Sequence, residues 1–126
     1  MSKLLLEKET FKILGAGFAV YKEMGPGFLE SVYQECMEIE LESQGIPFAS
    51  QPLAPIQFKG VSLKTHYRPD IICFDSVLVE LKACSTLLDE HRAQLLNYLR
   101  ATGKKVGLLL NFGHHPLLEH ERFVQS

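Results

Sequence analysis

The chain has 126 residues, of which 46% are hydrophobic and 22% are charged, and its formal net charge at pH 7 is −2. This length and composition predict one globular domain over residues 1–126 and exclude a largely disordered chain. The slightly acidic charge argues against a protein that coats nucleic acid non-specifically, because that class neutralises phosphates with an excess of lysine and arginine.

The cysteines and the apolar runs restrict the class of protein further. Cys36, Cys73 and Cys84 form no CxxC pair, so a disulfide framework, a zinc site or an iron–sulfur site is not expected. The apolar run near the N-terminus is too short for a signal peptide, and no stretch reaches the roughly 20 apolar residues of a membrane span. We therefore expect a cytoplasmic protein with no membrane association.

Two helices are predicted at the start of the chain. The first covers about residues 4–24, where apolar residues recur at helical spacing. These residues are Phe11, Leu14, Phe18 and Tyr21. Two glycines and a proline at residues 25–27 end this helix, and a second helix follows over about residues 28–44. The predicted apolar stripe of the second helix includes Leu29, Val32, Cys36 and Ile39.

The middle of the chain changes from helical to β-strand periodicity. Three β-rich runs cover residues 53–58, 63–74 and 77–81, with predicted turns at residues 59–60 and 75–76. Runs joined by such short turns predict a three-stranded antiparallel meander.

The last third of the chain adds a helix and two strands. The helix is predicted over about residues 89–101, a strand buried on both faces over 105–112, and a short edge strand over 119–124. A helix between two strands suits a crossover connection. The predicted fold is therefore α/β: a mixed β-sheet, made of the antiparallel meander and a crossover strand, flanked by helices on both faces.

Two charged residues lie on one face of the third predicted strand. Glu80 and Lys82 are two residues apart, so they share a face, while their apolar neighbours take the other face. Because their neighbours in the sequence are apolar, the side chains of Glu80 and Lys82 are expected to be at least partly buried. The alternative interpretation is an exposed edge or a cross-strand ion pair.

Asp70 joins this face only if the register of the preceding hairpin allows it. A two-residue turn at residues 75–76 would place Asp70 opposite Leu81, facing away from the charged pair. A connection with an odd number of residues, or a bulge, would place Asp70 on the face of Glu80 and Lys82. We predict such a connection.

Two carboxylates and a lysine on one strand face suit metal-assisted hydrolysis of a phosphodiester. Carboxylate oxygens hold a hard cation such as Mg²⁺. The cation lowers the pKa of a bound water and stabilises charge on the phosphate. A neighbouring lysine can orient the water and offset the developing negative charge.

Four further residues are candidates, each with two open interpretations. Glu30, near the start of the second helix and off its polar stripe, either stabilises the helix N-terminus or points over the sheet at the metal. Gln94 and Tyr98 share one face of the third helix, which is either solvated or faces a cleft. Arg68 shares the strand face of Asp70 and either grips a phosphate or pairs with a carboxylate.

Five segments, in this order, resemble a bacterial and archaeal family named for its GxxExxY motif, a branch of the PD-(D/E)xK nuclease superfamily. The segments are 27–33 (GFLESVY), 67–70 (YRPD), 79–82 (VELK), 93–99 (AQLLNYL) and 107–113 (GLLLNFG). The resemblance extends over residues 4–113.

The resemblance implies a restriction-endonuclease-like core and a metal-dependent site. The positions that it implies for metal binding are Asp70, Glu80, Glu30 and the backbone carbonyl of Leu81. It implies that Lys82 is catalytic, together with Asp70, Glu80 and Glu30. The Gln94 and Tyr98 pair is similar to the Gln-x-x-x-Tyr motif of bacterial recombination exonucleases, which supports the active site there.

Two functions from different classes follow. The first is a nuclease that uses Mg²⁺ or Mn²⁺ to hydrolyse phosphodiester bonds of DNA or RNA. The second is a non-catalytic module that binds nucleic acid or protein and keeps the fold, which the acidic charge and small size favour. A homodimer would enlarge the binding surface in either case. We favour the nuclease, because an idle module has less reason to hold three charged groups on one face.

Overall fold

The computed structural model describes residues 5–125. The elements are α1 (Glu7–Met24), α2 (Glu30–Ser43), β1 (Phe48–Ser50), β2 (Ala54–Phe58), β3 (Val61–Tyr67), β4 (Ile71–Cys73), β5 (Val77–Lys82), α3 (Asp89–Thr102), β6 (Val106–Asn111) and β7 (Glu119–Val124). Five strands form one mixed sheet in the order β1-β4-β5-β6-β7, while β2 and β3 form a separate hairpin.

Helices cover both faces of the mixed sheet. On one face α1 and α2 pack against alternate residues of β5 and β6, such as Val79 and Leu108. On the other face α3 and the root of the β2–β3 hairpin pack against the intervening residues, Leu78 and Leu109. This architecture confirms the predicted α/β fold class.

The crossover and the edge strand are confirmed, whereas the predicted meander has one wrong member. Strands β5 and β6 are parallel and joined through α3, and β7 pairs antiparallel with β6. The antiparallel part of the sheet is β1-β4-β5, so its first strand is Phe48–Ser50 instead of the predicted 53–58. The predicted run 63–74 is interrupted at Pro69, which has no N–H for a sheet hydrogen bond. Its first half therefore pairs only with β2.

The predicted first helix is present, but its buried residues are not the four apolar residues whose spacing predicted it. Phe11 and Phe18 are 77% and 44% exposed, and the buried positions include Ala16 and Gly17. A methyl group at Gly17 would lie 3.3 Å from side-chain carbons of Leu110 and Leu118. The small residues let the helix approach the sheet closely, and this close approach decides which face is buried. None of the helices within residues 5–125 combines the length and apolar character that a membrane crossing requires.

The buried face of α2 is rotated from the predicted stripe in the same way. Leu29 and Ile39 are mostly exposed, and the buried residues are Tyr33, Met37 and Leu41. Tyr33 stacks on Phe112 with 4.7 Å between ring centroids, which fixes this face against the sheet. Glu30 lies one turn before Tyr33 on the same face.

Candidate active site

The connection between β4 and β5 sets the position of Asp70. Cys73 pairs with Val77, so three residues lie between the paired positions. The loop residues Phe74 and Asp75 both have positive φ, and the N–H of Ser76 closes the turn on Cys73 O at 3.0 Å. The predicted connection with an odd number of residues is therefore confirmed.

This register brings two carboxylates together at the end of the sheet. The N–H of Asp70 donates to Oε2 of Glu80 at 3.1 Å, and the N–H of Leu81 donates to Oδ2 of Asp70 at 2.7 Å. The amide of Gln34 donates to the backbone oxygen of Asp70 at 2.9 Å and joins this segment to α2. Backbone donors thus hold the two acidic groups side by side.

Tyr67 is a residue of this site that the sequence patterns did not single out. Its hydroxyl group donates to Oε1 of Glu80, and its ring stacks on Tyr98 with 3.5 Å between centroids. Its sequence signal is its place as the first residue of the YRPD segment, three residues before Asp70. The direction of its side chain depends on the pairing of the separate hairpin, which no local pattern reveals.

A cleft of about 440 Å³ opens above the carboxylates. It is lined by Glu30, Ile56, Thr65, His66, Tyr67, Arg68, Asp70, Glu80, Lys82, Gln94 and Tyr98. Every predicted side chain of the candidate site therefore faces one cleft. The remaining candidate, Leu81, lines an adjoining cavity of about 180 Å³ together with Glu30 and Asp70.

The sequence left two roles open for the helical residues and for Arg68, and their positions in the cleft favour one of them. Glu30, Gln94 and Tyr98 lie on the cleft wall, so none of them belongs only to a solvated helix surface. The guanidinium of Arg68 donates to the backbone oxygen of Gln51 at 3.0 Å, and within residues 5–125 it pairs with no carboxylate. Arg68 also lines the cleft.

The charges in the cleft perturb one another. Burial, then hydrogen bonding and repulsion by Asp70, raise the pKa of Glu80, which is 7% exposed. Burial also raises the pKa of Glu30, an effect that the positive charge of Lys82 opposes. Lys82 forms no ion pair with any carboxylate of the described residues. Its ammonium group is therefore available to a ligand in the cleft.

The donor set fits a hard divalent cation. Asp70 and Glu80 present adjacent carboxylates, and burial of Glu80 without a positive partner disfavours its charged form. A cation bound by both carboxylates would remove that penalty. Across residues 5–125, no three histidine, cysteine, aspartate or glutamate side chains converge closely enough to form a ligand cluster. Glu30 is thus a residue of the cleft wall in this arrangement, beside the Asp70 and Glu80 pair.

Solved structures with a similar fold are known. The structure described as the crystal structure of SSO0001 superposes with a TM-score of 0.61 at 20% identity, covering 76% of this chain and 50% of that chain. The present chain therefore spans half the length of that protein, and the likeness concerns the fold. An alkaline exonuclease (LHK-Exo) from Laribacter hongkongensis gives a TM-score of 0.40 at 14% identity, covering 95% of this chain and 82% of that chain.

The sequence comparison identifies the family. No curated protein sequence matches the chain. The family model described as the PD-(D/E)XK nuclease superfamily matches residues 7–123, which is nearly the whole chain. With the mixed sheet between helices, this match is consistent with the predicted restriction-endonuclease-like core. The chain belongs to the PD-(D/E)XK nuclease superfamily.

Proposed function

We propose that the protein is a metal-dependent nuclease that hydrolyses phosphodiester bonds of DNA or RNA. The observation that carries this proposal is the register of β4 and β5, which puts Asp70 beside Glu80 and on the face of Lys82. Two carboxylates, and an ammonium group that forms no ion pair with a carboxylate of residues 5–125, match the needs of phosphodiester hydrolysis when they share one cleft. The match to a family of nucleases supports it independently.

Asp70 and Glu80 would hold a divalent cation, Mg²⁺ or Mn²⁺, with the backbone carbonyl of Leu81 as a further ligand. When bound, the cation supplies an activated water and stabilises negative charge on the phosphate. The backbone N–H groups of Asp70 and Leu81 keep the two carboxylates in place, so little rearrangement is needed for binding. Glu30 adds negative charge from the cleft wall.

Lys82 acts on the reacting groups directly. Its ammonium group orients the attacking water and offsets the negative charge that develops on the phosphate oxygens. The water loses a proton as its oxygen forms a bond to phosphorus, the bond to one ester oxygen breaks, and that oxygen takes up a proton, so one water is consumed overall. The products are a phosphomonoester and a hydroxyl group. Lys82 is therefore assigned to the chemical step, separately from the metal ligands.

The remaining residues of the cleft wall would position the substrate. Gln94 and Tyr98 offer an amide and a hydroxyl group to a phosphate, and Arg68 offers guanidinium donors. We also infer membership of the GxxExxY branch. In support, the motif tyrosine Tyr33 is buried, donates to Gly25 O at 2.5 Å and accepts from the N–H of Phe28, which fixes the loop before Glu30. A homodimer stays a prediction from chain size, which light scattering tests.

A cleavage assay tests the proposed function. The protein is incubated with Mg²⁺ or Mn²⁺ and single-stranded, duplex and branched DNA or RNA. Asp70→Asn and Lys82→Met are each expected to lower the rate by about 100-fold or more, because each removes a group that acts at the phosphate. Lys12→Met, which removes an exposed lysine of α1, is the matched control and is expected to keep the rate.

Two outcomes would contradict the proposal. Cleavage that neither Asp70→Asn nor Lys82→Met changes would assign the activity to another site or to a contaminant. Metal-independent binding of nucleic acid, with no cleavage of any of these substrates, would favour the non-catalytic module instead.

A further inference from the structure

The β2–β3 hairpin carries a surface that the carboxylate site does not explain. It is a two-stranded sheet of its own, with Ala54 paired to Tyr67 at its root and Phe58 paired to Val61 at its tip. Isolated hairpins are marginally stable unless one face is packed. Here the root is packed and the tip is not, so packing within the protein does not explain the apolar residues at the tip.

One face of the hairpin is mainly apolar, interrupted by Thr65. Residues at even separations in a strand share a face, so Tyr67, Leu63 and Val61 project from the same side. At the root this face packs against Leu95 and Leu99 of α3. Toward the tip the same face is open to solvent: Phe58 is 62%, Val61 65% and Leu63 39% exposed. The apolar face thus extends beyond the helix that covers its root.

The hairpin also forms one wall of the cleft above the carboxylates. The wall residues from the hairpin and the segment after it are Ile56, Thr65, His66, Tyr67 and Arg68. The exposed tip continues from this wall. Thr65 and Val61 are four residues apart, which in a strand corresponds to roughly 13 Å. A polymer with one unit at the carboxylates would reach the tip within about four stacked nucleotides at roughly 3.4 Å each.

The charge of the hairpin is opposite to that of the chain as a whole. Residues 51–68 contain Lys59, Lys64 and Arg68 and no acidic residue, in a chain whose net charge is −2. The Nζ atom of Lys59 lies 5.4 Å from the ring centre of Phe58, so cation and aromatic surface are adjacent at the tip. Exposed aromatic and aliphatic side chains beside basic groups match a polyanion with flat apolar units.

We propose that the β2–β3 hairpin is a binding arm for a single-stranded polynucleotide. Phe58, supported by Val61 and Leu63, stacks on unpaired bases, while Lys59, whose Nζ atom lies beside the Phe58 ring, contacts a phosphate. A duplex offers no free base face to such a surface, because its bases are stacked on one another. This inference rests on the proposed nuclease function. It specifies the substrate of that function as single-stranded polynucleotide.

Binding measurements in an Asp70→Asn background test the arm without cleavage. Fluorescence anisotropy follows labelled single strands of about 4 to about 16 nucleotides, which brackets common single-strand site sizes, and duplexes of the same lengths. Phe58→Ala is expected to weaken single-strand binding by roughly 5- to 160-fold, the range for loss of one base–aromatic stack. Binding of the duplexes is expected to change little. Lys59→Gln is expected to lower the salt dependence of binding by about one phosphate contact.

The matched control is Phe11→Ala. Phe11 is an equally large aromatic residue, 77% exposed, on α1 at the opposite face of the sheet. Its loss is expected to leave affinity unchanged. Unchanged single-strand affinity in Phe58→Ala, or an equal loss for duplexes, would overturn the arm. A change in size-exclusion mass caused by Phe58→Ala, with unchanged oligonucleotide affinity, would also overturn it and assign the tip to self-association.

A small substrate separates failure of the arm from failure of the nuclease proposal. Hydrolysis of a dinucleotide, too short to reach the tip, is expected to proceed equally in Phe58→Ala and in the parent protein. If the protein cleaves nucleic acid but Phe58→Ala binds single strands as tightly as the parent protein, only the proposed binding arm is contradicted. Single-strand binding that depends on Phe58, with no hydrolysis of any substrate, would overturn only the proposed chemistry.

Discussion

The hydroxyl group of Tyr67 donates a hydrogen bond to Oε1 of Glu80 at the buried floor of the cleft. Burial and the charge of Glu80 raise the pKa of Tyr67, so the hydroxyl keeps its proton at neutral pH and remains a donor. Stacking on Tyr98 holds the ring. We therefore expect Tyr67 to act as a positioning residue that orients Glu80, one of the two carboxylates proposed as metal ligands.

The substitution Tyr67→Phe tests this relationship. It removes only the hydroxyl group and leaves an oxygen of Glu80 without its donor, while the ring can still stack on Tyr98. Changes to groups that orient metal ligands typically lower metal affinity or activity by about 10- to 100-fold. Titration calorimetry with Mn²⁺ is expected to show a loss of this size, with a circular dichroism spectrum like that of the parent protein.

Tyr21→Phe provides the control for Tyr67→Phe. The Tyr21 hydroxyl also donates a tertiary hydrogen bond, to the backbone oxygen of His114, but it does not line the cleft. This variant is expected to lose some stability and to keep its Mn²⁺ affinity. Equal Mn²⁺ affinity in both variants and the parent protein would show that Tyr67 has no positioning role.

The burial of Glu80 predicts how stability depends on pH in a chelating buffer. Burial and the neighbouring Asp70 raise the pKa of Glu80 from 4.5 to about 8. A raised pKa in the folded state contributes stability at low pH that is lost as pH rises through that pKa. The free energy of unfolding should therefore fall between about pH 5 and pH 9, by an amount on the order of a few kcal/mol.

Glu80→Gln removes the titrating group from this site. We expect urea denaturation of the variant in EDTA to show a smaller fall over the same pH range and a higher stability than the parent protein at pH 9. The Glu80 carboxylate would then serve the proposed metal binding while it lowers the stability of the metal-free protein. Identical pH profiles for the two proteins would contradict the assigned pKa.

Gly113 lies where the chain passes close to the end of β5. A methyl group at this position would approach the backbone N and O of Cys84 to 2.5 Å, and neither backbone atom can move alone. We expect Gly113→Ala to destabilise the protein by about 1–3 kcal/mol or more. Because the displaced segment directly follows Lys82, cleavage is expected to fall as well. Thermal denaturation and the cleavage assay measure the two effects.

Gly15→Ala is the matched control for Gly113→Ala. A methyl group at Gly15 would meet nothing within 4 Å, and the residue lies inside α1. Alanine is favoured over glycine in a helix interior by roughly 0.5–1 kcal/mol, so this variant is expected to be slightly more stable. Similar melting temperatures for the two variants would contradict the close approach at Gly113.

Cys73 is predicted to be the unreactive thiol of the three. It is fully buried, and burial raises its pKa to about 12, so the thiolate that attacks disulfide reagents is scarce at pH 8. Cys36 and Cys84 are partly exposed. An aromatic disulfide reagent is expected to modify Cys73 only after denaturant is added, with mass spectrometry locating the label. Rapid labelling of Cys73 in the folded protein would contradict the packing of β4.

Several features of the site were predictable because they depend on short-range geometry. Glu80 and Lys82 share a face in any strand, since side chains alternate with a period of two. The shared site also required an odd connection between β4 and β5, and that condition is met by the pairing of Cys73 with Val77. The crossover through α3 followed from the order of a helix between two apolar strands.

Other features depend on contacts between residues far apart in the chain. The buried face of α1 is set by the fit of Gly17 against Leu110 and Leu118, which outweighs the hydrophobicity of Phe11. Pro69 gave a local sign of a break, but it did not indicate that the preceding strands leave the main sheet to form the cleft wall.

The sequence by itself determined the family and the residue types of the candidate site: Asp70, Glu80 and Lys82 lie in a chain that matches the PD-(D/E)XK nuclease superfamily over residues 7–123. Only the tertiary structure decided the surroundings of these residues. In the folded protein the Tyr67 hydroxyl group contacts Glu80, Glu30 lines the cleft, and Phe58 is exposed on the hairpin beside the cleft. Strand alternation is a local property of the backbone, whereas these directions follow from how separate elements pack, and packing is settled only when the whole core is assembled.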